Sequence, residues 1–90
     1  MADNDAKDID ATLRATLADV LGLNKDRVAG FTEATPLFGA LPEFDSMAVA
    51  GLLTELEDRL GIFIEDHEID ADILETYGNL LNYARTKISI

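Results

Sequence analysis

Apolar residues recur along this chain with the period of an α-helix in three places. Ile9, Leu13, Leu17, Val20 and Leu21 fall on one stripe of a first helix of about four turns, and Gly22 is a plausible stop. Val49, Leu52, Leu53, Leu56 and Leu60 stand at i, i+3, i+4, i+7 and i+11 in a second helix over Ser46–Leu60, with Gly61 ending it and Asp45 or Ser46 as N-cap. The same spacing returns in Tyr77, Leu80, Leu81, Ala84 and Ile88, a last helix starting near Thr76 whose Arg85 and Lys87 suit the negative end of its dipole.

Between these stripes the period breaks. From Asn24 to Asp45, Gly30, Pro36, Gly39 and Pro42 punctuate the chain, and Val28, Phe31, Leu37, Phe38, Leu41 and Phe44 follow neither helical nor strand spacing. This reads as a long ordered loop pinned by its own hydrophobes. Ile62-Phe63-Ile64 reads as an apolar connector, because there is no second strand for it to pair with. Asp66 to Leu74 reads as a short helix or helical turn with Ile69, Ile73 and Leu74 inward. The expected fold class is all-α: a small bundle of three long helices plus one short helix, with the long loop between the first and second. Residues 1–90 form one domain, with about the first five residues frayed.

Composition narrows the function. The 90 residues carry 18 Asp+Glu against 7 Lys+Arg, a formal charge of −11, while 48% are hydrophobic. Seven cations scattered along the chain do not make a phosphate-binding patch, so nucleic acid is excluded as a partner, and basic protein surfaces are favoured instead. With no cysteine there is no disulfide framework, thiolate zinc site or thiol nucleophile. No apolar run approaches the roughly 20 residues that span a bilayer, and the start Met1-Ala2-Asp3-Asn4-Asp5 lacks the features of a secretory leader. The expected location is the cytoplasm.

Asp45-Ser46-Met47 is the strongest candidate for chemistry. It places a serine hydroxyl where a long loop meets the first turn of a helix, and unpaired N–H groups and the helix dipole there favour a phosphate. The plain reading of the same residues is an N-cap pair. On the helical wheel Met47, Gly51, Thr54 and Asp58 fall opposite the apolar stripe, which makes Met47 an exposed apolar residue beside the serine. A glycine in mid-helix costs about 1 kcal/mol against alanine, so Gly51 suggests the close approach of another surface.

Across nearly its whole length the chain resembles the acyl carrier proteins. The residues that carry the resemblance are the Ile9 to Leu21 helix, Pro36-Leu37-Phe38, Phe44-Asp45-Ser46-Met47, and Leu52 to Ile62 with its acids and Gly-Ile ending. The resemblance implies a non-catalytic carrier whose Ser46 hydroxyl receives 4′-phosphopantetheine from coenzyme A through a phosphopantetheinyl transferase. The arm's thiol would hold acyl or aminoacyl groups as thioesters, supplying the sulfur a cysteine-free chain lacks, and would present them to loading ligases, acyltransferases and synthases with basic patches. By the same resemblance Asp45 would orient the serine and meet the transferase, Met47 would be the apolar contact beside it, and Glu57 and Asp58 would face basic partners. The full partner face would then comprise Met47, Ala48, Gly51, Thr54, Glu57 and Asp58, and the high like charge of the chain favours a monomer.

This chain departs from the fatty-acid type of carrier in three respects. Ala48 and Gly51 stand where such carriers commonly have acids, Met47 replaces leucine, and Leu41-Pro42-Glu43-Phe44 replaces a glycine-containing approach. The departures point to a specialised partner set with a less charged contact face. The alternative function is an unmodified acidic adaptor that binds a basic protein through Met47, Gly51 and Thr54. A hydrolase built on Ser46 and His67 lacks the nucleophile elbow. A calcium loop starting at Asp66 would have Ala71 where glycine is needed and Tyr77 where glutamate is needed. His67, among carboxylates on a polar segment, reads as a surface residue.

Overall fold

The computed structural model describes residues 5–88 and is all-helical over that span. Helix α1 is Asp5–Leu21, α2 Lys25–Ala29, α3 Ser46–Leu60, α4 Ala71–Glu75 and α5 Tyr77–Ile88, with a 3-10 turn at Asp66–Glu68. The expected fraying of about residues 1–5 concerns positions that, apart from Asp5, lie outside the described residues.

The first and third helices end alike. Gly22 and Gly61 adopt φ of 68° and 66°, a left-handed conformation that suits glycine because it lacks a Cβ. The next residue's N–H then turns back onto the helix, Leu23 to Ala18 O at 3.0 Å and Ile62 to Glu57 O at 3.2 Å.

Two expectations need correction. The Asn24–Asp45 segment contains α2, capped by Asn24 Oδ1, which accepts the Asp26 N–H at 2.7 Å. One and a half turns are too few to show a period, and only Val28 of α2 is buried. The short helix expected over 66–74 is instead a 3-10 turn followed by a break, and α4 restarts at Ala71 with Asp70 as its cap, Oδ1 accepting the Ile73 N–H at 3.0 Å. An aspartate there satisfies the new N-terminus better than it would serve a continuous helix.

Helix α1 is the hub, packing on α2, α3 and α5, while α4 lies on α5. Ile9, Leu13, Leu17 and Leu21 of α1 meet Leu52 and Leu56 of α3 and Tyr77, Leu80, Leu81 and Ala84 of α5 in one core. Phe31, Leu37, Phe44, Ile64 and Leu74 fill it from the connecting segments. Polar groups at its margin tie the elements together. The Tyr77 hydroxyl donates to the Asp10 carboxylate. Arg14 donates to both oxygens of that carboxylate at 3.1 Å, and to Val28 O at 2.8 Å and Phe31 O at 3.1 Å. Its guanidinium lies 4.7 Å from the centre of the Tyr77 ring. Burial pushes Asp10 up, but the bonds from Tyr77 and Arg14 and the charge of Arg14 outweigh it and hold the acid below its usual range. At the other end of α3, Arg59 reaches Asp19 at 2.9 Å and Glu55 at 3.0 Å, tying that helix to α1.

The stretch before α3 is laced to the α4–α5 junction by backbone bonds. Pro36 and Thr76 form an isolated antiparallel bridge. Leu37 N–H donates to Glu75 O at 2.7 Å and Phe38 N–H to Leu74 O at 3.0 Å, while Tyr77 and Gly78 N–H donate back to Thr35 O at 2.9 Å and Glu33 O at 3.0 Å.

Candidate functional site

The chain reaches Ser46 through a short anchored approach. Leu41 N–H donates to Leu37 O at 2.9 Å and Phe44 N–H to Leu41 O at 3.0 Å, two tight turns in succession. Phe44 is buried, and its ring meets Phe38 edge-on with centroids 5.7 Å apart. Glu43 pairs with Arg27 of α2 at 3.5 Å. These contacts fix where α3 begins.

Asp45 is the cap. Its backbone is extended, Oδ1 accepts the Ala48 N–H at 2.9 Å, and its carbonyl accepts the Val49 N–H at 2.9 Å. The carboxylate thus closes the first turn of the helix that begins at Ser46. Because Asp45 does the capping, the hydroxyl of Ser46, the first residue of α3, is not consumed by that task and is exposed. Met47 beside it is 84% exposed.

The expected partner face divides. Met47, Thr54 and Asp58 are exposed. Gly51 is half-buried, with room for a Cβ 3.6 Å from Val20 Cγ1 of α1. Ala48 is a correction: at 9% exposure it belongs to the core, four residues before Leu52 on the same stripe, and offers no surface to a partner. Glu57 is also turned to a structural task, since Oε2 accepts the Ile64 N–H at 2.8 Å and fixes the connector after α3. Val49, Leu53 and Leu60 are half-buried, so the apolar face of α3 is centred closer to Ala48, Leu52 and Leu56 than the spacing alone implied. His67 is 78% exposed in its side chain and stands 3.3 Å from Glu65.

A family model described as a phosphopantetheine attachment site matches residues 11–85. The chain is also 37% identical to a holo acyl carrier protein from Nitrosomonas europaea, solved in solution by NMR. That similarity has a TM-score of 0.81 and covers 92% of this chain and 98% of the other. The chain belongs to the acyl carrier family. As a carrier it is not a catalyst but the substrate of a phosphopantetheinyl transferase, and its cofactor is covalent 4′-phosphopantetheine. Acyl carriers act with such transferases and with synthase enzymes. An unmodified adaptor is not what the match favours. No described helix is long and apolar enough to cross a membrane.

The residues present fit the arm. A phosphodiester needs an accessible hydroxyl with positive potential nearby, and the carrier offers an exposed serine at the N-terminus of a 15-residue helix. When bound, the arm supplies a terminal thiol on which an acyl group is held as a thioester. The chain's own contribution at this point is an exposed Ser46 at the first position of α3 with the exposed Met47 beside it.

The sequence reading did not find the work of Arg14 on the end of α2 or of Glu57 on the connector, because both bonds go to backbone carbonyls or N–H groups that carry no residue signature. A sequence signal did exist for one further feature. Three apolar residues in a row, Ile62-Phe63-Ile64, cannot all turn inward from an extended connector.

Proposed function

We propose that Ser46 is the attachment point of the arm and that this carrier presents acyl thioesters in the cytoplasm to enzymes that approach α3 from the Met47, Gly51, Thr54 and Asp58 side. The observation that carries this reading is the exposed Ser46 hydroxyl at the first position of α3, with Asp45 serving the cap in its place. In the loading step the serine oxygen attacks the phosphate of coenzyme A that bears the pantetheine. A new phosphate–oxygen bond forms, the adenosine bisphosphate leaves, and the transferase takes the serine proton. Tethering then raises the effective concentration of the acyl group at each enzyme that docks.

The contact face supports a specialised partner set. Met47 gives an apolar contact next to the arm, Gly51 and Thr54 give a small and uncharged middle, and Asp58 supplies the charge at the far end. A loading ligase, acyltransferase or synthase with a mostly apolar contact strip and basic residues toward Asp58 fits this surface.

Intact mass after incubation with coenzyme A and a broad-specificity transferase tests the assignment. Wild type should gain one phosphopantetheinyl group and Ser46→Ala none. An unmodified wild type, or equal gain by Ser46→Ala, overturns it.

A further inference from the structure

The connector after α3 turns its side chains alternately. Ile64 is buried and its N–H is held by Glu57, so Phe63 is thrown outward and left 69% exposed. The ring borders a groove of about 440 Å3 with apolar walls from Leu60, Ile62 and Ile88. One edge of this groove is closed by Glu68, which accepts from Lys87 Nζ at 2.9 Å and from the Tyr83 hydroxyl at 2.8 Å. These bonds tie one edge of the groove to α5. A buried aromatic side chain contributes 150–250 Å2 of apolar area, so leaving one in water at the edge of a preformed groove forgoes a large favourable term unless a second surface covers it.

Charge selects the occupant. Glu65, which lines the groove, is exposed, and Lys87 on its wall is already neutralised by Glu68. A second copy of a chain with charge −11 would be repelled, as would an anionic membrane. What fits is a protein surface that offers an apolar pocket for the ring and Lys or Arg around it.

We propose that Phe63 and its groove form a second docking point for the enzyme that modifies Ser46, gripping the carrier at the far end of α3. At 1.5 Å per residue, Ser46 and Leu60 are separated by about 21 Å along the helix axis. A standard interface of roughly 800 Å2 per partner, taken as a disc, is about 32 Å across. Both ends of α3 therefore lie within the width of one such interface, which would read Phe63 while the serine hydroxyl stays clear for chemistry. The inference rests on the carrier reading for its choice of partner.

The test is steady-state transfer from coenzyme A by a broad-specificity transferase on the full chain, comparing wild type, Phe63→Ser and Phe63→Leu. Phe63→Ser should raise KM by about fivefold or more with kcat within about twofold, and Phe63→Leu should restore most of the affinity. Glu65→Gln should raise KM and flatten its dependence on salt. Calorimetric titration of the transferase into Ser46→Ala and into Ser46→Ala, Phe63→Ser reads the same contact without chemistry. Failure at Ser46 would appear in the mass measurement, whereas failure at Phe63 would appear here. A KM and an affinity for the Phe63→Ser forms that stay within twofold of their parents overturn the proposal.

Discussion

Gly51→Ala separates what α3 needs for folding from what it needs for recognition. The residue is in mid-helix, and a Cβ there would lie 3.6 Å from Val20 Cγ1, an ordinary contact that demands no movement. Nothing inside the protein therefore requires glycine at this position. Alanine removes backbone entropy from the unfolded chain and adds a methyl contact in the folded one, both favourable, so the variant should be more stable by roughly 0.5–1 kcal/mol. For 90 residues at about 2.1 cal/mol/K each, the unfolding entropy is about 0.19 kcal/mol/K, so the melting temperature should rise by about 3–5 °C. Far-ultraviolet circular dichroism during a thermal scan measures this. A fall in melting temperature would mean that Val20 cannot accept the methyl and that the seam between α1 and α3 is tighter than described. The same variant, loaded by the transferase, should show a higher KM, because the methyl intrudes on the face toward which an enzyme reaches. Unchanged loading kinetics would remove Gly51 from the contact face.

The other helical glycine has the opposite sign: a Cβ at Gly78 would lie 2.8 Å from Glu33 O and 2.9 Å from Glu33 Cβ, so Gly78→Ala should destabilise by about 1–3 kcal/mol in urea unfolding despite the better helix propensity. Tyr77→Phe removes the hydroxyl that donates to Asp10 and should cost about 1.5–3 kcal/mol by the same measurement; an unchanged midpoint would mean that Arg14 alone satisfies the carboxylate. Lys87 first, and Tyr83 second, hold Glu68 down from 4.5 to about 2. A carboxylate depressed in the folded state stabilises above its unfolded value and loses that contribution as pH falls. The gap in melting temperature between wild type and Glu68→Gln should thus be full at neutral pH and close between about pH 4.5 and pH 2. A gap that does not change with pH would show that the ionised pair is not what holds the turn.

The helices that carry long apolar stripes were legible in the sequence because their period was long enough to count. The start of α3 at Ser46 and the end at Leu60 followed from a capping aspartate and a C-terminal glycine, both local and both chemical. α2 was not legible, since five residues with one buried side chain produce no period, although Asn24 marks its cap. The burial of Ala48 was missed because alanine carries almost no preference between core and surface, and only the packing of α3 on α1 decides it. The place of Ser46 was readable, but the reason it is fixed there was not. That reason lies in the turns at Leu41 and Phe44 and the packing of Phe44 on Phe38, in a stretch that is laced by backbone bonds between residues 33–38 and 74–78, about forty residues apart, and these leave no mark in composition.

Those backbone bonds read no side chain. Leu37, Phe38, Tyr77 and Gly78 contribute their N–H groups, and Glu33, Thr35, Leu74 and Glu75 their carbonyls, so the bonds themselves set no demand on side chains, and the demands at Leu37, Leu74 and Tyr77 come from the core those residues fill. Proline cannot replace a donor, and Gly78 must keep its bare Cα. The approach to Ser46 thus takes its shape from backbone bonds at one end and from a few side chains at the other. Of residues 38–43, Gly39, Ala40 and Pro42 carry none of the side-chain contacts that fix the start of α3, whereas Phe38 packs on Phe44, Leu41 on the core and Glu43 pairs with Arg27. The scaffold separates the vocabulary of recognition from the grammar of the fold.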